Sequence, residues 1–298
     1  MTGVQDDTQT KGAIAAISSH VVRGGVGNRS MVPALEAMGF NVWSVPTIIL
    51  AHHPGHGKTT RIVPEAEQFS LLLDDLANSP WSGELRGIAS GYMADVGQVE
   101  AVSRLVSRLR EAVPGLVYLC DPVIGDRMGL YVATEIAAAI RDLLLPLADI
   151  ATPNLHEMAW LANADAAETA PLAAAQAARL GPGRVVVTSA PAFMRGNIAN
   201  LLVEGGQAFI AEHRLVDGPS NGAGDLFSAL FLARVLAGAS SEKALASTTS
   251  SVFEIMARSA RAGAVEIVLA GEWMSLLQPA AMVTTRRVAT PTSGLQKA

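Results

Sequence analysis

Short runs of β-branched and other apolar residues alternate along this chain with segments whose apolar positions recur at helical spacing. That alternation constrains the fold more than any other feature. The runs are 12–19, 41–45, 85–89, 116–120, 148–151 and 184–188, and the intervening helical segments are 29–38, 65–77, 96–109, 132–145 and 154–161. In 65–77, Phe69, Leu72, Leu73 and Leu76 fall on one stripe. Strands that take turns with helices need crossover connections, so the pattern predicts an α/β fold with a mainly parallel central sheet and helices on both faces. Beyond residue 188 the rhythm changes. Residues 197–203 and 207–212 read as a hairpin turned at Gly205 and Gly206, and 223–236, 241–261 and 272–277 read as helices. With 298 residues and no internal repeat, the chain is expected to form a single domain over 12–278. Residues 1–11 are expected to be a flexible polar start, and 279–298, lacking either periodicity, a mobile tail.

Half of the residues are apolar, yet charge, Gly or Pro breaks every apolar run. None approaches the roughly 18 residues that a membrane span needs. The start of the chain lacks the basic and apolar stretches of a secretory signal, so a cytoplasmic location is expected. The lone cysteine, Cys120, excludes an internal disulfide, and its place at the end of an apolar run suits an inert buried residue. A formal charge of −5 and an aromatic content of 5% argue against a nucleic-acid partner.

Two phosphate-binding patterns fail on detail. Gly25-Val26-Gly27 follows the first strand, as a dinucleotide turn would, but Ser30 stands at the third glycine position and Val45 and Pro46, with no carboxylate, end the second run. Gly57-Lys58-Thr59 resembles the end of a P-loop, but the glycine required five residues earlier is His52, and the following TRIVP is extended rather than helical. The stretch 52–60 reads instead as an irregular or β flap near a pocket mouth. Its histidines, His52, His53 and His56, have no neighbouring carboxylate or cysteine to complete a zinc site.

Asn221-Gly222-Ala223-Gly224-Asp225 opens an apolar helix. Glycines at such a start leave backbone N–H groups unobstructed, and with the helix dipole they form an anion hole suited to phosphate oxygens. Asp225 falls in the first turn, where its carboxylate can face the same space. A carboxylate beside an anion hole is what phosphoryl transfer to an alcohol requires: one accepts the hydroxyl proton, the other stabilises the moving charge. A simple capping carboxylate would look the same.

This pentapeptide resembles the GxGD signature of the ribokinase superfamily, and the resemblance extends from about residue 14 to 277. ISSHVVRGGVGNRS in the first strand and its loop is similar to the SHV-x-x-G-x-x-GN segment of pyridoxal kinases. SGYM (90–93), CDPVIGD (120–126) and LADIATPNLHE (147–157) match three further segments in order. The resemblance implies a ribokinase-like three-layer sandwich with a small flap, and ATP-dependent phosphorylation of the 5′-hydroxymethyl group of pyridoxal or a related B6 vitamer. It places the pyridine ring near Ser19, Thr47, Ile48 and Tyr92, with Asp225 as base and Gly222, Ala223 and Gly224 as the hole. Asp121 would face the phosphates and their Mg²⁺, and Asn154 and Glu157 would hold Mg²⁺ through water. Thr152, Thr188 and Ser189, with His213, Arg214, Leu215 and Val216 at the adenine edge, would serve ATP. It also implies a homodimer and leaves open a monovalent cation such as K⁺.

Each role has an alternative in the residues themselves. Asp121 before Pro122 suits a strand terminator, Asn154 and Glu157 a helix-capping pair, and Thr188 a β-branched strand position. The chain also departs from the pattern. Pyridoxal kinases commonly follow the threonine with a polar Gln-Phe-Ser-Asn-His stretch, whereas Thr47 precedes Ile48, Ile49, Leu50, Ala51, His52 and His53, and the segment between Asp217 and Gly222 is short. A hydroxymethylpyrimidine or a sugar therefore stays open as acceptor, as does a ligand-binding relative without turnover.

Overall fold

The structure, a computed structural model, describes residues 11–218 and 220–289. Apart from Lys11, the expected flexible start lies outside the described residues, as does the tail from 290 onward. The elements run in the order β1 (Ala13–Arg23), α1 (Asn28–Ala37), β2 (Asn41–His52), β3 (Arg61–Ile62), α2 (Ala66–Asn78), β4 (Leu85–Ser90), α3 (Val96–Ala112) and β5 (Val117–Cys120). There follow β6 (Gly125–Asp126), β7 (Gly129–Leu130), α4 (Thr134–Ala139), β8 (Ile150–Ala151), α5 (Leu155–Leu161), α6 (Ala170–Ala177) and β9 (Arg184–Pro191). The last are β10 (Asn197–Glu204), β11 (Gln207–Arg214), α7 (Ala223–Leu236), α8 (Ser241–Arg261), α9 (Trp273–Leu277) and β12 (Thr284–Val288).

One sheet takes the order β12-β11-β10-β9-β8-β5-β4-β1-β2-β3. From β2 to β9 neighbours are parallel; β10 to β12 and β3 add antiparallel edges. Alternation along β1 sorts its side chains: Ala13, Ala15 and Ile17 join the core beneath α2, α3 and α4, and Ile14 and Ala16 join that beneath α1, α7 and α8. A parallel strand buried on both faces reads as a continuous apolar run, as β1 does. Helix α7 is buried without a break from Leu226 to Arg234, as a helix apolar on all sides must be. Cys120 is buried, and burial pushes its thiol up to about 12, so it stays protonated and inert.

Five segments differ from expectation. Strand β2 does not stop at Val45 but continues through Pro46 to His52. Proline cannot donate to the ladder, and the pairing of β1 with β2 slips between Ser18 and His20, next to Pro46, which accommodates it. The upper halves of β1 and β2, with β3, form the flap. The expected helix over 132–145 is α-helical only to Ala139 and passes through a wider turn, Ile140–Leu144, into a tighter one, Leu145–Leu147. Helix α6 and the β6–β7 hairpin had no reading. Nor is 279–298 without regular structure, because β12 pairs along β11. There Arg286 lies 3.3 Å from Glu212, which is buried in β11, and the other carboxylate oxygen of Glu212 accepts the Met194 N–H at 3.2 Å.

Candidate active site

In an open parallel sheet, ligands bind beyond the carboxyl ends of the strands, and the residues singled out above gather there. Gly222 caps α7 with a left-handed backbone, φ 87°, which only glycine adopts without strain. Its α-carbon packs on the Gly25 carbonyl, leaving no room for a Cβ. Gly224 is exposed, with open space above it. The Ala223 N–H donates to the Ser220 carbonyl at 3.0 Å, so the hole is narrower than the motif implied and Gly224 is its open member.

Asp225 keeps some solvent access, and its carboxylate accepts hydrogen bonds from the backbone N–H groups of Gly27 and of its own residue. Packing around it outweighs these bonds and raises it to about 6. Asp121, 7% exposed, accepts the Ser228 hydroxyl at 2.9 Å. Ser228 is in turn 2.8 Å from the Thr152 hydroxyl. Burial first, and then the charge of Asp225, lift Asp121 to about 8.

Glu157 and Asn154 form the capping pair: Asn154 Oδ1 accepts the N–H groups of His156 and Glu157, and Glu157 returns a bond to the Asn154 N–H at 2.8 Å. The same carboxylate accepts the Ile124 and Gly125 N–H groups at 3.0 and 3.3 Å, while Asn154 Nδ2 donates to the Gly125 carbonyl at 2.8 Å. Burial, then Asp121, hold Glu157 well above the usual carboxylate range. Among the described residues no ion pair neutralises Asp121, Glu157 or Asp225, and none of their metal-type side chains gather in threes, the flap histidines included. With no basic partner to offset them, Asp121 and Glu157 are held towards their protonated forms, and a hard cation is the kind of group that would draw them into their charged forms.

On the acceptor side, Val21, Val26, Ile48 and Leu50 form a small apolar cluster against which Tyr92 packs. Thr47, fully buried, donates to the Tyr92 carbonyl at 2.7 Å. Ser19 faces the Gly27 α-carbon, one residue from Val26 in this cluster. Arg61 of the flap donates to the Tyr92 hydroxyl at 3.3 Å. On the opposite side, Thr188 N–H bonds the Pro153 carbonyl at 2.9 Å, and exposed Ser189 adopts φ 54°, a strained value for a non-glycine residue that often marks a ligand position.

Arg214, Leu215 and Val216 leave β11 at the surface or partly covered. His213 is separate from them: its ring stacks on Phe253 with centroids 4.7 Å apart, and burial lowers its pKa. Two participants had escaped notice. Ser228 lies one helical turn beyond Asp225, a spacing the sequence does display. Tyr131 follows β7, and although it is 53% exposed as a residue, burial of its phenol and then the charges of Glu157, Asp121 and Asp225 push its pKa up. Nothing in its sequence neighbourhood announces that.

A ribokinase-like sandwich carrying a carboxylate beside a helix-start anion hole defines a small-molecule phosphotransferase. A family model described as phosphomethylpyrimidine kinase matches residues 23–269. Pyridoxal kinase PdxY of Rubrobacter xylanophilus is 36% identical over 282 residues, covering 93% of this chain and 97% of its own. The pyridoxal kinase of Leishmania donovani in complex with ADP and pyridoxamine superposes with a TM-score of 0.85 at 25% identity, over 93% of this chain and 99% of that one. Its complex with ADP and pyridoxine gives 0.86 at 25% identity, over 94% and 100%. The chain belongs to the pyridoxal kinase family.

Proposed function

We propose that the protein transfers the γ-phosphoryl group of ATP to the 5′-hydroxymethyl group of a B6 vitamer. The observation that carries this reading is the pairing of Asp225 with the open Gly224 backbone at the start of α7. Asp225, poised near 6, is ionised at neutral pH yet basic enough to take the hydroxyl proton as the oxygen attacks phosphorus. Gly224, the open member of the helix start, with Gly222 beside it, would receive the charge of the transferring group, while the Ala223 N–H stays bonded to Ser220. The vitamer ring would sit beside Tyr92, over the apolar cluster that holds Ile48, with Ser19 at its edge and buried Thr47 setting the Tyr92 backbone. Thr188 and Ser189, with Arg214, Leu215 and Val216, flank the nucleotide, and Thr152 braces the carboxylates from below.

Asp121 would hold Mg²⁺ and Glu157 would act on it through water; when bound, the ion neutralises the phosphates. The lack of any ion pair to these carboxylates among the described residues supports that role. The enzyme is taken to work as a cytoplasmic homodimer, for which exposed apolar residues such as Val22 and Ile62 offer a surface. No described helix is long and apolar enough to cross a membrane.

The test is ADP release with pyridoxal, pyridoxamine, pyridoxine and a hydroxymethylpyrimidine in turn. Turnover with a vitamer is expected. Asp225→Ala is expected to lower kcat by about 10²–10⁴ while vitamer binding, followed by calorimetry, changes little; retained turnover would remove Asp225 from the mechanism.

A further inference from the structure

One buried carboxylate fastens the tip of the flap to the body of the protein. Glu266, in the loop between α8 and α9, is 5% exposed. Its Oε1 lies 2.6 Å from Nε2 of His56, which ends the single tight turn Pro54–His56 at the top of the flap. Its Oε2 accepts the Gly25 N–H at 2.9 Å. Gly24 packs so closely on this carboxylate that any side chain there would strike it.

The contact continues into the catalytic end of the molecule. The Gly25 carbonyl accepts the Ser30 hydroxyl and forms the surface on which Gly222 packs. The neighbouring Ile267 N–H reaches the Asn221 carbonyl at 3.5 Å. Gly27, in the same turn, donates its N–H to Asp225. Glu266 therefore joins three segments remote in sequence: the flap tip, the glycine turn after β1, and the start of α7.

A buried carboxylate is costly unless partnered. The Gly25 N–H is one partner, from the glycine turn after β1, and His56, from the flap tip, is the other. We propose that Glu266 is a positioning residue which, through His56, latches the flap shut and sets the glycine turn that supports Asp225 and the anion hole. This rests on the kinase reading above. Flap closure would then be coupled to assembly of the transfer geometry, and an unlatched flap would admit water to the bound nucleotide.

The experiment uses the full chain carrying His56→Ala, His56→Gln or Glu266→Gln. His56→Ala is expected to lower kcat/KM for the vitamer by about 10-fold or more, with the KM for ATP little changed. It should also raise the ratio of ADP released to vitamer phosphorylated. Hydrogen exchange of the 53–63 backbone should speed up, and His56→Gln, which keeps a donor towards Glu266, should restore both readouts to within about threefold. His56 sits at the surface end of the pair, so its replacement does not endanger folding if Glu266→Gln does. Unchanged kinetics and flap exchange in His56→Ala would overturn the latch, as would an equal loss in both KM values without rescue by Gln. A wild-type protein that releases no ADP with any vitamer would sink the kinase reading instead, and flap exchange, which needs no turnover, would still decide the latch.

Discussion

Ser228 donates its hydroxyl to Asp121 at 2.9 Å, and it does so from the helix that carries Asp225 one turn earlier. The two carboxylates of different elements are thereby held against one rigid support, with Thr152 closing the network at 2.8 Å. Asp225 and Asp121, the proposed proton acceptor and cation ligand, cannot drift apart without breaking this bond.

Replacing Ser228 by Ala is therefore expected to weaken the enzyme without touching either substrate. Supporting residues of this kind are typically worth about 10- to 100-fold in activity or metal affinity. Titration of kcat against Mg²⁺ checks it: the loss should be largest at low Mg²⁺, and an unchanged Mg²⁺ dependence would detach Ser228 from the site.

Asp225 is raised to about 6 by its packed surroundings. A base must be deprotonated to work, so kcat/KM for the vitamer should fall about tenfold per unit below that pH and level off above it, because this parameter reports the free enzyme. Stability runs the other way. Folded-state values above the ordinary range mean that the fold favours the protonated acids, a contribution complete below that range and lost as pH rises through about 6 for Asp225 and about 8 for Asp121. The Tm of ligand-free Asp121→Asn should gain on wild type as pH rises towards 9. A constant difference would refute the assignment.

Arg234 is 6% exposed and forms no ion pair with a carboxylate among the described residues. It bonds Thr248 and Ser251 on α8 at 2.9 and 2.8 Å, and the Leu276 carbonyl on α9 at 2.8 Å, while burial pulls its pKa down to about 10. Arg234→Ala leaves a void and strips the guanidinium donors from Thr248, Ser251 and the Leu276 carbonyl, which keeps only the Ser251 hydroxyl at 3.3 Å, at a cost of about 2–4 kcal/mol. Arg234→Met keeps the volume and removes the desolvated charge, so it should cost less. Urea unfolding ranks the two, and the reverse order would show that the hydrogen bonds dominate.

Much of this was legible in the residues. The limits of α7 and α8 and the hairpin at Gly205 and Gly206 follow from periodicity and turn chemistry. Asp225, Asp121 and Glu157 follow from motifs that place carboxylates at strand ends and helix starts. What escaped depends on pairing between remote segments. Pro46 looked like a stop because a shift in register on the neighbouring strand is invisible locally, and β12 was hidden because TTRRV has no apolar alternation. The opposite error befell His213, which lies in the right strand but spends its ring on Phe253. Glu266 and His56 are 210 positions apart, and nothing in either neighbourhood names the other.

The pairing of Arg286 with Glu212 gives the outermost strand an influence beyond its size. A protease that trims the chain ahead of Thr284 strips the counter-charge from an acid sealed inside the sheet, and Glu212 then keeps only the Met194 N–H as its partner. Damage at the rim would reach the loop between β9 and β10 before the rest of the sheet.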